Sequence, residues 1–101
     1  MDKLIQQVEQ WSIDKNLHEA DSSKQFTKVV EEVGEVAAAL ARSNEDMLRD
    51  GIGDVVVTLI ILAQQNDMTL EECLQYAYDE IKDRKGKTIN GTFIKQADLG
   101  R

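Results

Sequence analysis

Residues 45–65 read EDMLRDGIGDVVVTLIILAQQ, and this stretch decides the fold. Its second half, residues 55–63, is apolar at every position except Thr58. The density of β-branched residues would also suit a buried strand. We favour a helix, because apolar residues before the run lead into it at helical spacing and no turn signal separates them. A helix that is apolar on all sides must be buried on all sides. In so short a chain we therefore expect its outward side, at Ile60 or Ile61, to pack against another subunit.

Three further helices are predicted around this stretch. The 3.6-residue periodicity places them at about residues 3–16, 24–42 and 70–84. The complete absence of proline agrees with a helical chain. We predict one all-α domain over residues 1–101, an antiparallel four-helix bundle with a basic tail from about residue 85. The tail shows no clear periodicity but contains the turn signal Asn90-Gly91.

Composition narrows the possible classes of function. The net charge of −7 argues against nucleic acid as the main partner. With one cysteine, no secretory signal pattern and no apolar run long enough to span a bilayer, we expect a cytoplasmic protein that does not contact membranes. The charge is uneven, since residues 1–81 carry 6 basic and 17 acidic residues, whereas residues 82–101 carry 6 basic and 2 acidic. An acidic body could hold a metal and a basic tail a phosphate, although acidic surface also simply keeps proteins soluble.

Acidic residues on the second and third helices are predicted to meet. Residues three or four apart share a helix face, so Glu35 can converge with Glu31 or Glu32, and Asp50 with Asp54. If the two helices fold back around residue 43 or 44, positions whose numbers sum to about 87 lie opposite each other. Four or five carboxylates then meet in one cleft.

Such a cleft favours a hard divalent cation. Carboxylates this close repel one another, and oxygen-only ligands suit a partly hydrated Mg²⁺ that also holds phosphate oxygens. Gly34 and Gly53 flank the acids and suit a close approach of the two helices there. The alternative is an exposed, solvated acidic face. With His18 the only histidine and no glycine-rich phosphate loop, di-iron, triad and P-loop chemistries do not fit.

Three motifs in order resemble the MazG-like nucleotide pyrophosphohydrolases, part of the all-alpha NTP pyrophosphatase superfamily that also contains dimeric dUTPases. They are Glu31-Glu32-x-x-Glu35, then Gly53-Asp54-Val55 opening an apolar helix, then RKGKTINGTF at residues 84–93. The resemblance covers nearly the whole chain. It implies a Mg²⁺-dependent reaction in which an NTP or dNTP gives the monophosphate and pyrophosphate. It departs from the family at Gly51, where a glutamate is usual.

The resemblance also implies roles for residues. Glu32, Glu35 and Asp54 would bind the metal, and Asp50 would stand in for the missing glutamate. Glu31 would either bind the metal as well or position water and accept its proton. The candidates for binding substrate phosphates or sugar are Lys28, Lys82, Arg84, Lys85, Lys87 and Asn90, and those for the base are Trp11, Asn16 and Gln25. The basic residues equally suit a solvated helix end, and Trp11 equally suits a core position on the first helix.

We also expect the protein to assemble with copies of itself, and one alternative function remains. By resemblance the protein is a homo-oligomer, a dimer or a dimer of dimers. The alternative is a non-catalytic helical oligomerisation or interaction module that docks through its apolar third helix and whose acids form an exposed face.

Overall fold

Four helices and one hairpin make up the protein, and the structure, a computed structural model, describes residues 2–100. In chain order the elements are α1 (Asp2–Asp14), a 3-10 turn (Leu17–Glu19), α2 (Ser22–Ala41), α3 (Glu45–Gln65), α4 (Leu70–Ile81), β1 (Gly86–Ile89), β2 (Thr92–Lys95) and a second 3-10 turn (Gln96–Asp98). The chain divides after Leu70 into two compact units, each described by itself below. The helical fold class is confirmed. Residues 45–65 form one continuous helix, so the strand alternative is wrong.

Side-chain caps begin the two central helices. The Asp21 carboxylate accepts the Ser23 N–H at 2.8 Å ahead of α2. The Asn44 amide oxygen accepts the Met47 N–H at 3.0 Å ahead of α3. Each bond satisfies one of the donors that a helix start leaves free. Between the helices Ser43 takes a left-handed φ of 50°, which reverses the chain within three residues.

Helix α3 approaches α2 closely at Gly51. A Cβ atom on Gly51 would lie 3.1 Å from Val36 Cγ2, whereas one on Gly34 or Gly53 would meet nothing within 4 Å. The residue numbers 36 and 51 sum to 87, so the pairing counted from the turn is confirmed. The expectation that Gly34 and Gly53 permit the close approach is wrong, because both face open space.

The core lies along α3, which α1, α2 and the 3-10 turn at Leu17–Glu19 all contact. No residue from 55 to 63 is exposed, and Ile60 and Ile61 are only 2% and 4% accessible. Side-chain amides tie the layers together: Gln25 donates to the Thr58 carbonyl at 2.9 Å, Gln64 to that of Glu9 at 3.1 Å and Gln65 to that of Leu17 at 2.9 Å. The prediction that Ile60 or Ile61 faces another subunit is therefore wrong, since the chain's own helices cover both.

The exposed apolar residues of the first unit include a row on α2, in addition to residues on other elements such as Leu4 and Ile52. Phe26 and Leu40, at the two ends of a stripe, are 59% and 61% accessible. The stripe repeats at alternating steps of four and three residues and consists of Phe26, Val30, Val33, Ala37 and Leu40. This is the spacing of a seam between two packed helices. We call it the α2 stripe.

The second unit contains a hairpin that the periodicity did not predict. Strands β1 and β2 pair antiparallel, with Gly86 opposite Lys95 and Ile89 opposite Thr92. Asn90 and Gly91 have φ values of 52° and 79°, as a two-residue type I′ turn requires. The turn signal is thus confirmed. Among the described residues, none of the helices has the length and apolar character needed to cross a bilayer.

Candidate metal centre

Three carboxylates meet where α2 faces α3. One oxygen from each of Glu32, Glu35 and Asp54 lies within 4.8 Å of the other two. Glu32 and Glu35 are neighbours on one face of α2, and Asp54 reaches them from the antiparallel α3. Glu32 and Asp54 are half-buried, whereas Glu35 is exposed. We call these three residues the acid cluster.

Burial and mutual repulsion make the ionised form of the acid cluster unfavourable without a cation. Burial raises the pKa of Glu32 above its ordinary value, and the nearby charges of Glu35 and Asp54 raise it further, partly offset by Lys28. Burial also raises the pKa of Asp54, with added contributions from Asp50 and Glu35. One carboxylate oxygen of Glu32, Oε2, is buried with no hydrogen-bond partner in the described chain. Each observation means that the ionised carboxylates lack a compensating partner.

The dimensions of the acid cluster suit a hard divalent cation. Mg²⁺ binds oxygens at about 2.1 Å, so two of its protein ligands lie at most about 4.2 Å apart. The observed spread of up to 4.8 Å exceeds that limit by a few tenths of an ångström. Small side-chain movements would close the difference. The residues present therefore fit a metal ion.

Asp50 lies beside the acid cluster rather than in it. A hydrogen bond and the charge of Asp50 both help to raise the pKa of Asp54, one helical turn further along α3. The neighbouring Gly51 is buried against Val36, so position 51 presents backbone to α2. Asp50 is the carboxylate next to position 51 in the sequence, and its role as a replacement for the missing glutamate stays a prediction.

Three open grooves run past the acid cluster within the first unit. The first groove, of about 460 Å³, is lined by Glu35, Ala38, Arg42, Met47, Asp50 and Gly51. The second, of about 430 Å³, is lined by Asp46, Arg49, Asp50, Gly53, Asp54 and Val57. The third, of about 300 Å³, is lined by Gln7, Val8, Trp11 and Val57. Asp50 lines the first and second grooves and Val57 the second and third, so successive grooves share a lining residue.

Of the other predicted residues of the first unit, Trp11 lines a groove and the rest do not. Glu31 is exposed, outside the acid cluster, and its Oε2 is 3.4 Å from Lys28 Nζ. Trp11 is 49% accessible and lines the third groove, so the core alternative for it is wrong. Asn16, with a φ of 58°, follows α1 and makes no capping bond. The amide of Gln25 is already committed to Thr58.

The candidates of the second unit are exposed, either between α4 and β1 or on the hairpin. Lys82 pairs with Asp79 at 3.3 Å. Asn90 occupies the hairpin turn. The remaining exposed candidates are Arg84, Lys85 and Lys87.

Sequence reasoning missed Arg42. It follows α2 directly and lines the first groove with Glu35 and Asp50. The signal was present, because residues 35, 38 and 42 are spaced by three and four and share one helix face.

The chain is similar to a known protein family and to a phage protein. The family model described as the MazG nucleotide pyrophosphohydrolase domain matches residues 21–89. A protein of Haemophilus phage HP1 (strain HP1c1), described as an uncharacterized 18.2 kDa protein in the rep-hol intergenic region, is 43% identical over 75 residues. That match covers 71% of this chain and 46% of the phage protein, so the chain spans less than half of its relative. No solved structure matches the chain significantly.

Proposed function

Because the chain belongs to the MazG nucleotide pyrophosphohydrolase domain family, we propose that it hydrolyses a nucleoside or deoxynucleoside triphosphate in a Mg²⁺-dependent reaction. Water adds across the anhydride bond between the first and second phosphates, giving the monophosphate and pyrophosphate. The observation that carries this proposal is the acid cluster, three carboxylates from two helices within 4.8 Å of one another.

The residues of the acid cluster have distinct tasks in the proposed reaction. Glu32, Glu35 and Asp54 hold the metal, with Asp50 assisting from one turn away. Mg²⁺, when bound, supplies charge neutralisation for the phosphates. Glu31, exposed and adjacent to Glu32 in the sequence, accepts a proton from the attacking water. Lys28, whose Nζ is 3.4 Å from Glu31 Oε2, attracts the substrate phosphates.

The substrate's base is assigned to the third groove. Trp11 offers a half-exposed indole for stacking beside the apolar Val8 and Val57. Asn16, at the end of α1, supplies an amide for the base edge. We assign the basic residues of the second unit, Lys82, Arg84, Lys85 and Lys87 together with Asn90, to the phosphates and sugar.

A nucleotide screen tests the proposed function. The protein is incubated with each standard and damaged NTP and dNTP with Mg²⁺, and the products are separated. We expect monophosphate and pyrophosphate in equal amounts from at least one substrate, and none after chelation of the metal. Release of inorganic phosphate and a diphosphate would contradict the proposed bond cleavage. Complete inactivity on the whole set would favour the non-catalytic interaction module.

Asp50→Asn is expected to weaken the affinity for Mg²⁺ less than Asp54→Asn does. Asp50 stands one turn from the acid cluster and has a short side chain, so we propose that it reaches the metal through water. The Mg²⁺ concentration for half-maximal activity should rise on the order of ten-fold for Asp50→Asn, in the range of outer-shell changes. Asp54→Asn should show no saturation. Equal losses in the two variants would make Asp50 a direct ligand.

We also propose that the protein is a homo-oligomer, a dimer or a dimer of dimers. The α2 stripe supports this, because five apolar residues at the spacing of a helix–helix seam are exposed in one copy. A two-fold axis along the stripe would bring two equivalent surfaces together. The interface thus moves from α3, where the sequence suggested it, to α2.

A further inference from the structure

Arg42 is a cation with no acidic partner beside an acidic groove. Of the basic residues near the acid cluster, Lys28 pairs with Glu31, and Arg49 pairs with Asp46 at 3.0 Å. Arg42 makes no ion pair within residues 2–100, although Glu35 and Asp50 line the same groove. Its guanidinium is therefore available to a ligand.

The first groove continues directly from the acid cluster. Glu35 belongs to both, and Asp50 connects the groove to Asp54 on the other side. A polyphosphate entering this region adds negative charge to several carboxylates, and one divalent cation offsets only part of it. A planar guanidinium matches phosphate oxygens with two parallel N–H donors, which a lysine cannot do.

The three grooves also give the bound substrate a direction. Their shared face of α3 carries Met47, Asp50, Asp54 and Val57, spaced by three, four and three residues. At 1.5 Å per residue this face is about 15 Å long. The Arg42 groove lies at its start, beside the α2–α3 turn, and the Trp11 groove lies at its far end.

Resting on the proposed function, we propose that Arg42 binds the pyrophosphate portion of the substrate, the two phosphates that leave together. The triphosphate then points toward the α2–α3 turn and the base toward Trp11. Arg42 acts as a binding residue that distinguishes a triphosphate from shorter phosphate chains.

Product inhibition tests this assignment. Inhibition by inorganic pyrophosphate and by the nucleoside monophosphate is measured separately for wild type, Arg42→Gln and Arg42→Lys. Arg42→Gln should raise the inhibition constant of pyrophosphate on the order of ten- to a hundred-fold, the range for a charged hydrogen bond. The inhibition constant of the monophosphate should stay unchanged. Arg42→Lys should bind pyrophosphate with an affinity between those of wild type and Arg42→Gln, because lysine keeps the positive charge but not the two parallel N–H donors.

The control removes one positive charge elsewhere. Lys3→Gln, at an exposed α1 position that lines none of the three grooves, should leave both inhibition constants unchanged. Equal weakening of both products in Arg42→Gln, or an unchanged pyrophosphate constant, would overturn the assignment of Arg42. Either result could be obtained for Arg42→Gln while the wild-type enzyme still releases pyrophosphate. Failure of this assignment is therefore distinguishable from failure of the proposed function. Arg42 is exposed, and an unchanged helical circular-dichroism signal would show that the variant folds.

Discussion

Glu35→Gln and Asp54→Asn are each expected to lower the turnover of nucleotide hydrolysis on the order of a thousand-fold or more, the scale of losing a group that stabilises transition-state charge. Each change removes one negative charge from the acid cluster with little change in volume. Glu35 is exposed, and the Asp54 carboxylate is repelled by the charges of Asp50 and Glu35, so neither change should destabilise the fold. Turnover is measured by pyrophosphate release at saturating substrate and a limiting Mg²⁺ concentration.

A matched control separates the acid cluster from acidity in general. Glu45→Gln removes the same charge from an exposed position in the first turn of α3, outside the acid cluster and the grooves. It should retain turnover close to wild type, and all three variants should keep the helical circular-dichroism signal. Near wild-type turnover in Glu35→Gln or Asp54→Asn would rule out the acid cluster as the metal site.

Ile60→Glu is expected to unfold the protein. Ile60 is 2% accessible at the centre of the core, where a carboxylate finds no partner. Burying an unpaired polar or charged group there should cost about 4 kcal/mol or more, a large part of the stability of a typical domain. Urea denaturation followed by circular dichroism measures the loss. A variant as stable as wild type would show that Ile60 is not part of a packed core.

Val30→Glu is the matched exposed substitution. Val30 lies in the α2 stripe at 54% accessibility, so a carboxylate there can remain in water. Light scattering should show wild-type oligomers and folded Val30→Glu monomers at the same micromolar concentration. Val30→Glu that assembles like wild type would remove the α2 stripe as the interface.

Local pattern was sufficient to predict the helices and their pairing. The continuity of helical spacing through Met47 and Ile52 outweighed the β-branched residues of the following run. Counting from the α2–α3 turn correctly placed Asp54 opposite Glu32 and Glu35, because antiparallel helices joined by a short turn have a fixed register. Which glycine permits the close approach depends on the rotation of each helix about its axis. Spacing alone could not determine that rotation, and Gly51 rather than Gly53 faces α2.

What covers each face of a helix was harder to predict than the presence of the helix. An apolar stripe indicates that a face is buried but not which element buries it, so Ile60 was assigned to a subunit contact although the chain itself buries it. For the same reason Trp11 fitted both a core and a groove. Arg42 stands after the last turn of α2, where a cation is expected from the helix dipole alone, and only the groove distinguished it.

The hairpin shows the limit of periodicity. Strands of four residues, Gly86–Ile89 and Thr92–Lys95, are too short to give a two-residue alternation above the background. Only their connection, Asn90-Gly91, carried a local signal, because both residues accept a positive φ.

The effect of Mg²⁺ on the melting temperature tests the central claim most directly, since it asks whether the acid cluster binds the metal. A cation at a hundred times its dissociation constant adds about 2.7 kcal/mol of stability, which corresponds to roughly 10 °C or more in a domain of this size. We predict such a rise for wild type and almost none for Asp54→Asn. Without metal, Asp54→Asn should melt above wild type, because the mutual repulsion at the acid cluster is relieved. Equal responses of the two proteins to Mg²⁺ would contradict the account.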